Sequence, residues 1–407
     1  MGGGLLQLVA YGAQDIYLTG NPQITFFKVV YRRYTNFSME CIVQSLKGNP
    51  GNGARVVATV QRSGDLVHDS FIKLNNVTEF ISTNINNPGY NIIDSIEVEI
   101  GGQTIDKQFG HFLEAYSELT QETGSFLGST SVSDITINQT LPPTPGTRYR
   151  DKSVFQMTTG AGGIDINGYN YLYVPLQFWF NRNVGLSLPL IALQYHQVDI
   201  IINISQAYTN IIGAGGKFSL WCNYIYLDTD ERRRFAQVSH EYLIEQVQTQ
   251  NNVVSDSINN IELIFNHPVK ELIWVALQTE WGSTDADSGK FDVPYDENTT
   301  VNLLFNGQER FQQQKIEYFT RYQPYKYHTN ISRGDKLDTI AVYSFALNPE
   351  EHQPSGTCNF SRIDTAYLTL NNLSDTTNTA SKGIYIYAIN YNVLRIMSGM
   401  GGLAYSN

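Results

Sequence analysis

The chain has 407 residues, with seven histidines and thirty-eight carboxylates among them, and spacing decides which of these can act together. His196 and Asp199 lie three residues apart in the run Gln194-Tyr195-His196-Gln197-Val198-Asp199. On a strand an odd spacing sends the two side chains to opposite faces, so a structural polar role is expected rather than a catalytic pair. His68, Asp69 and Ser70 are adjacent and alternate faces for the same reason, and the sequence has no Gly-x-Ser-x-Gly elbow. Asp285-Ala286-Asp287-Ser288-Gly289 begins like a calcium loop but lacks the third ligand position before the glycine and the later Glu. Gly399-Met400-Gly401-Gly402 is followed by only a few residues, so no phosphate-holding helix and no dinucleotide fold is expected from it. Arg333-Gly334-Asp335 matches an attachment tripeptide, yet Gly-Asp is ordinary turn chemistry and a plain turn is expected. No catalytic, cofactor-binding or metal-ligating residue is assigned, and no cofactor is expected.

Composition narrows the classes further. The net charge of −11 argues against nucleic-acid binding, which rests on Lys and Arg neutralising phosphates. Arg32-Arg33 sits among strand-forming residues, and Arg232-Arg233-Arg234 follows Asp228, Asp230 and Glu231, so both clusters are read as locally paired. Cys41, Cys222 and Cys358 are few, odd in number and widely separated, which fits a reducing compartment rather than a disulfide framework. The start, Met1-Gly2-Gly3-Gly4, lacks the charge of a secretory leader, and Leu6 stands where the myristoylation pattern has Ser or Thr. No apolar run reaches the length of a membrane span. Sequons occur at Asn36, Asn76, Asn138, Asn203, Asn298, Asn330, Asn359 and Asn372; several fall in predicted strands and read as compositional.

The elements that position these residues are strands. Ile96-Glu97-Val98-Glu99-Ile100-Gly101-Gly102-Gln103 returns as Val301-Asn302-Leu303-Leu304-Phe305-Asn306-Gly307-Gln308. Each copy alternates apolar residues and then offers two positions that tolerate positive φ, which is a strand, a two-residue hairpin turn and a strand. Residues 180–203 and 345–369 form a second matched pair in the same order, with one loop insertion in the first half, and this favours a duplicated domain. Strands are predicted in the Phe/Tyr-rich region from Ile24 to Leu46 and over 55–61, 66–74, 91–100, 171–180, 188–204 and 218–227. The second set runs over 242–249, 269–277, 300–305, 308–314, 339–347, 363–370 and 384–394.

Phe109, Phe112, Leu113, Tyr116 and Leu119 recur at three and four residues and predict a helix stopped by Gly124. Asp228, with Glu231 three residues on, predicts a short helix at the join. The fold class is therefore all-β, two consecutive eight-stranded antiparallel jelly rolls, with a short helix in a first-domain loop and another at the join. The division is an arm over 1–23, a first jelly roll over 24–228, a join over 229–240, and a second jelly roll with a C-terminal tail over 241–407.

Several long stretches carry a family resemblance: GGGLLQLVAYGAQDIYLTGNPQITFFKVVYRRYTNFSME (2–40), LSLPLIALQYHQVD (186–199), YIYLDTDERRRFAQVSHEYLIEQ (224–246), QPSGTCNFSRID (353–364) and NYNVLRIMSGMGGLAY (390–405). Together they resemble the major capsid proteins of large icosahedral DNA viruses, with the closest likeness to those of algal chloroviruses. The resemblance implies a double jelly roll that homotrimerises into pseudo-hexagonal capsomers. It implies partners in neighbouring capsomers and in minor capsid and penton proteins, and an internal membrane reached indirectly. It places the protein in the virion shell, assembled in the host cytoplasm, and brings no catalytic residues. The rival is a carbohydrate-binding or carbohydrate-active jelly roll, which needs paired carboxylates beside exposed aromatics. The one cluster of that kind, Trp281 with Asp285, Asp287 and Asp292, falls in a predicted loop.

Overall fold

The computed structural model describes residues 14–29, 31–77, 87–120, 154–159, 171–254, 258–277, 280–284, 288–289, 291–295, 297–330, 338–373 and 383–405. The chain divides into a leading stretch, Met1–Asn36, and a body, Phe37–Asn407. In the leading stretch Ile16–Thr19 forms one helical turn, and Asn21, at φ 50°, takes left-handed backbone in the Gly20-Asn21-Pro22 break.

The body opens with β1 (Phe37–Gln44), β2 (Leu46–Lys47), β3 (Arg55–Thr59), β4 (Leu66–Val77), β5 (Ile93–Ile100) and β6 (Gln103–Phe109). After the helix Gly110–Thr120 come β7 (Tyr171–Pro175), β8 (Leu188–Pro189), β9 (Val198–Ile204) and β10 (Ile212–Leu227). The helix Thr229–Gln237 follows, with the Asp228 carboxylate accepting from the Thr229 N–H. The second half holds β11 (His240–Asn252), β12 (Ile258–Glu262), β13 (Pro268–Leu277), β14 (Phe291–Asp292), β15 (Thr300–Phe305), β16 (Gln308–Glu309) and β17 (Gln314–Lys315). It closes with β18 (Ile340–Ser344), β19 (Cys358–Asn359), β20 (Ala366–Asn371), β21 (Ile384–Met397) and β22 (Met400–Leu403).

Pairing shows the duplication at the level of topology. The first half has one sheet in the order β1-β10-β4-β7, with β8 on β4, and another in the order β2-β3-β9-β5-β6. In the second half β11-β21-β13 carries β18 and β19 on β13, and β12-β20-β15-β16 has β17 on β15. Apart from β2 on β3, β14 on β13 and β22 on β21, the two halves share one order, and all their pairs are antiparallel, as in a jelly roll. Both repeated hairpins form. Gly101 and Gly102 lie at φ 60° and 82°, Asn306 and Gly307 at 50° and 77°, and the flanking residues pair as Ile100 with Gln103 and Phe305 with Gln308.

Three expectations are corrected. Strand structure starts at Phe37 rather than Ile24, because the β1 register ends at Phe37 opposite Leu227. The run 171–180 leaves the sheet at Pro175, which has no N–H to donate, and turns into the helix Trp179–Arg182. The run 188–204 is two strands separated by a turn; there the Arg62 guanidinium donates to the carbonyls of Leu193, Gln194 and His196.

The helix after the first hairpin spans Gly110–Thr120, while Phe109 stays in β6; the predicted stop at Gly124 lies outside the described residues. The periodic positions Phe112, Leu113, Tyr116 and Leu119 are all buried, and so are the polar His111, Glu114 and Ser117 between them.

The core follows from alternation. Ile72, Leu74, Leu220 and Tyr224 of one first-half sheet face Ile96, Val98, Ile200 and Ile202 of the other, each side chain contributing about 1.5–3 kcal/mol of burial. In the second half Trp274, Ile386 and Ala388 meet Val301, Leu303 and Leu368. The opposite face of the same sheet, with Ile273, Val275, Tyr387 and Ile389, joins the first-half core instead. The β11-β21-β13 sheet is therefore covered on both faces.

Substituting Gly307→Val puts a β-branched residue at φ 77° with no neighbour within 4 Å to clash, so the cost is backbone strain alone. A loss of about 1–3 kcal/mol is expected, read as a lower melting temperature. An unchanged melting temperature would remove the hairpin assignment.

Candidate functional site

Charged side chains gather where the doubly covered sheet meets the first half. Lys270 and Glu271 are consecutive in a strand that is otherwise buried and apolar. They avoid a one-in, one-out conflict through a bulge: Val269 pairs with Asn390 and Glu271 with Ile389, leaving Lys270 between them. The Lys270 ammonium donates to the Pro349 carbonyl at 2.6 Å and pairs with Glu245 at 2.8 Å. The other oxygen of Glu245 takes Arg182 Nη1 at 2.7 Å. Arg182 comes from the Trp179–Arg182 helix of the first half; its Nε donates to the Gln177 carbonyl and its guanidinium lies 4.4 Å from the Tyr116 ring centre.

Glu271 pairs with His328 Nε2 at 3.1 Å, and His328 Nδ1 meets Glu350 at 3.0 Å. Burial opposes the charge on His328, but the two carboxylates outweigh it and hold the pKa up to about 9. Burial likewise pushes Glu271 and Glu350 upward, and His328 beside them wins, leaving both below the usual carboxylate range. Arg182, Lys270 and His328 thus face Glu245, Glu271 and Glu350, three cations against three anions.

Around this lattice two further buried polar groups join the halves. Asp106 accepts from the Val247 N–H at 3.0 Å, while burial raises its pKa to about 6. His111 Nδ1 meets the Tyr387 hydroxyl at 2.6 Å, and burial lowers the imidazole to about 3, so it is neutral. A cleft of about 260 Å³ opens beside Tyr116, Arg182, Glu245 and Glu350, and its cation already has a carboxylate partner. No group of three or more metal-ligating side chains occurs among the described residues. What the arrangement does chemically is hold two sandwiches in one register.

The residues singled out by spacing are scattered. His196 Nδ1 meets the Gly401 carbonyl at 2.9 Å, whereas Asp199 accepts from Thr59 and Gln197. His68 and Asp69, expected on opposite faces, lie 3.4 Å apart, because the β4–β10 register is broken there by a bulge that turns both the same way. Arg232 is not locally paired; it reaches Asp65 at 2.9 Å. Trp281 is no sugar platform: it is buried, donates to the Ile93 carbonyl and stacks on Phe291. Asp285, Asp287 and the Arg333-Gly334-Asp335 tripeptide lie outside the described residues. All three cysteines are free, Cys41 exposed and Cys222 buried. The ionic lattice was missed because its partners are far apart in sequence; its one local signal is the Lys270-Glu271 pair inside an apolar strand.

Comparison with known proteins gives a single answer. Residues 25–234 match the family described as major capsid protein N-terminus, and residues 231–402 match the family of large eukaryotic DNA virus major capsid proteins. The chain is 48% identical to the major capsid protein of Pyramimonas orientalis virus and 39% identical to that of Paramecium bursaria Chlorella virus 1, with both chains covered in full in each case. The crystal structure of VP54 from PBCV-1 is 33% identical, with a TM-score of 0.73 over 94% of this chain and 100% of that one. The Faustovirus major capsid protein shares the fold at 13% identity, with a TM-score of 0.64 over 95% of this chain and 94% of that one.

The lattice makes stability depend on alkali. His328 is held above its ordinary pKa, so its contribution is complete below about pH 6.5 and disappears as pH rises through about 9, leaving Glu271 buried without its partner. The melting temperature is expected to fall between pH 7 and 10. His328→Ala should cost about 3–5 kcal/mol at pH 7 and flatten that slope. A variant that keeps the wild-type slope would show that another group titrates.

Proposed function

We propose, because this chain belongs to the family of large eukaryotic DNA virus major capsid proteins, that three copies close into a pseudo-hexagonal capsomer and that such capsomers tile an icosahedral shell. The observation that carries the reading is the repeated sheet order: two like lobes per chain give a trimer six similar edges. The protein acts through surfaces and is not an enzyme. Its working division is the arm (1–23), the first jelly roll (24–228), the join (229–240) and the second jelly roll (241–407). Its partners are its own copies, then minor capsid and penton proteins, with an internal membrane reached indirectly and no nucleic acid. It resides in the virion shell and assembles in the host cytoplasm.

Strand parity supports an orientation. In an antiparallel jelly roll successive connections alternate between two ends. The tight β5–β6 and β15–β16 turns share an end with the β8–β9 and β19–β20 connections, where Gly101 donates to the Gln197 carbonyl and Asn306 to the Thr365 carbonyl. By the same parity the connections that begin after Val77, Phe109, Ile204, Leu277, Lys315 and Asn371 leave from the other end, and most of these are the long ones. Length and variability are tolerated where solvent is, so this end is the virion exterior.

Light scattering at low micromolar concentration should give the mass of three chains, and negative-stain images should show three-lobed particles with a hexagonal outline. A monomer at every accessible concentration would sink the reading. Limited proteolysis of intact particles should cut within 125–170 or 278–299 and spare 101–102 and 306–307; cuts confined to the tight hairpins would invert the orientation.

A further inference from the structure

The leading stretch opposes the charge of the chain that carries it. From Ile16 to Met39 there is no carboxylate, and Lys28, Arg32 and Arg33 are the charged residues, in a protein whose net charge is −11. None of the three has an ion-pair partner among the described residues, so Arg32 and Arg33 are not locally paired as their setting in the sequence suggests. The apolar side chains between them are just as open. Phe26 and Phe27 form the tip of a turn in which the Thr25 hydroxyl accepts the Phe27 N–H at 3.4 Å. They are 88% and 97% exposed, and Val29 and Tyr31 after them are 72% and 85% exposed.

The order of these residues selects the surface that covers them. In an extended segment neighbouring side chains point to opposite sides, so a sheet face or a groove takes alternate residues. Here two phenylalanines are consecutive at a tip, and a cation follows at once. A lipid bilayer takes such a tip from every side: phenyl rings enter the acyl boundary, a tyrosine stays at headgroup level, and cations meet anionic headgroups.

The mounting of the stretch agrees. Phe37, where it joins β1, lies opposite Leu227, whose N–H donates to the Asp65 carboxylate. The Asp65 carbonyl in turn takes the Ile191 N–H of the β8–β9 connection, so β1 starts at the end with the tight turns. On the orientation proposed above, that end faces inward. We infer that the Phe26-Phe27 tip, with Lys28, Arg32 and Arg33, inserts into the surface of an anionic lipid bilayer. This adds a direct lipid contact to the indirect one proposed above, and its test depends on neither the trimer nor the orientation.

The full-length protein is floated with vesicles of phosphatidylcholine, alone or with about one-third phosphatidylserine. It is expected to rise with the anionic vesicles, to stay behind with the neutral ones, and to be released by high salt. Lys28→Gln/Arg32→Gln/Arg33→Gln should weaken partitioning on the order of a hundredfold, and Phe26→Ser/Phe27→Ser by about tenfold or more. An unaltered protein that does not rise with the anionic vesicles overturns the inference. So does equal flotation with both kinds of vesicle, or flotation that either variant keeps. Trypsin supplies a reading on the unaltered protein. It should cut after Lys28, Arg32 and Arg33, located by mass spectrometry, and anionic but not neutral vesicles should protect these bonds. Protection already present without vesicles overturns the inference, because a second copy or the chain itself then covers the segment. Cleavage that anionic vesicles leave unchanged overturns it as well. Should a variant lose its cooperative melt, this digest decides. Light scattering without vesicles reports the trimer separately, so either proposal can fail alone.

Discussion

A sheet buried on both faces has no solvent in which to discharge an unpaired charge, and yet β11 and β13 carry Glu245, Lys270 and Glu271 into that position. The penalty for burying them is several kcal/mol per ion and is offset only by close partners. Arg182 arrives from the first half, His328 and Glu350 from loops of the second, and Lys270 also uses a backbone carbonyl. The apolar surroundings drive association without direction, while the ion pairs accept one registration of the two sandwiches. A slide of one strand position would strand Glu245 between two cations it no longer reaches. The relative placement of the lobes is thereby fixed, and everything that depends on their spacing inherits it.

The same physics bears on how the charged positions are used. A site that turns over substrate keeps groups unspent: an open coordination position, a base without its proton, a cation awaiting an anion. Here the carboxylates of the lattice are already matched to cations, and Trp281, which in a sugar-binding site would lie open, fills the core beside His111. Among the described residues exposed apolar side chains are spread over the leading stretch, from Leu18 to Tyr34, the edge strand with Met39 and Val43, and second-half positions such as Tyr325 and Leu347.

Sequence reading reached furthest where a local rule decides the structure. Gly101-Gly102 and Asn306-Gly307 announce tight hairpins because few residue pairs tolerate such backbone, and Asp228 announces a helix start because its carboxylate can take an early N–H. It failed where a distant partner decides. Aromatic richness from Ile24 onward suits a strand, but a strand exists only as far as β10 offers carbonyls to it. Pro175 ends β7 through a missing donor, and the polar Ile258–Glu262 strand, unmarked by periodicity, forms because β20 lies alongside. The ionic lattice joins residues from Arg182 to Glu350, a span across which spacing carries no message.

Strand order also sets a timetable for synthesis. Phe37 pairs with Leu227, so the first sandwich cannot close until nearly all of that half has emerged from the ribosome. At ordinary elongation rates this leaves β1 without a partner for on the order of ten seconds or more. The second sandwich is delayed in the same way, since His240 waits for Ile396. It differs in its neighbour: the helix Gly110–Thr120, on which Tyr387 packs, has left the ribosome well before Tyr387 is made. A nascent chain released before residue 227 would carry an open edge and half a core, the sort of species that chaperones retain and that aggregates when they do not.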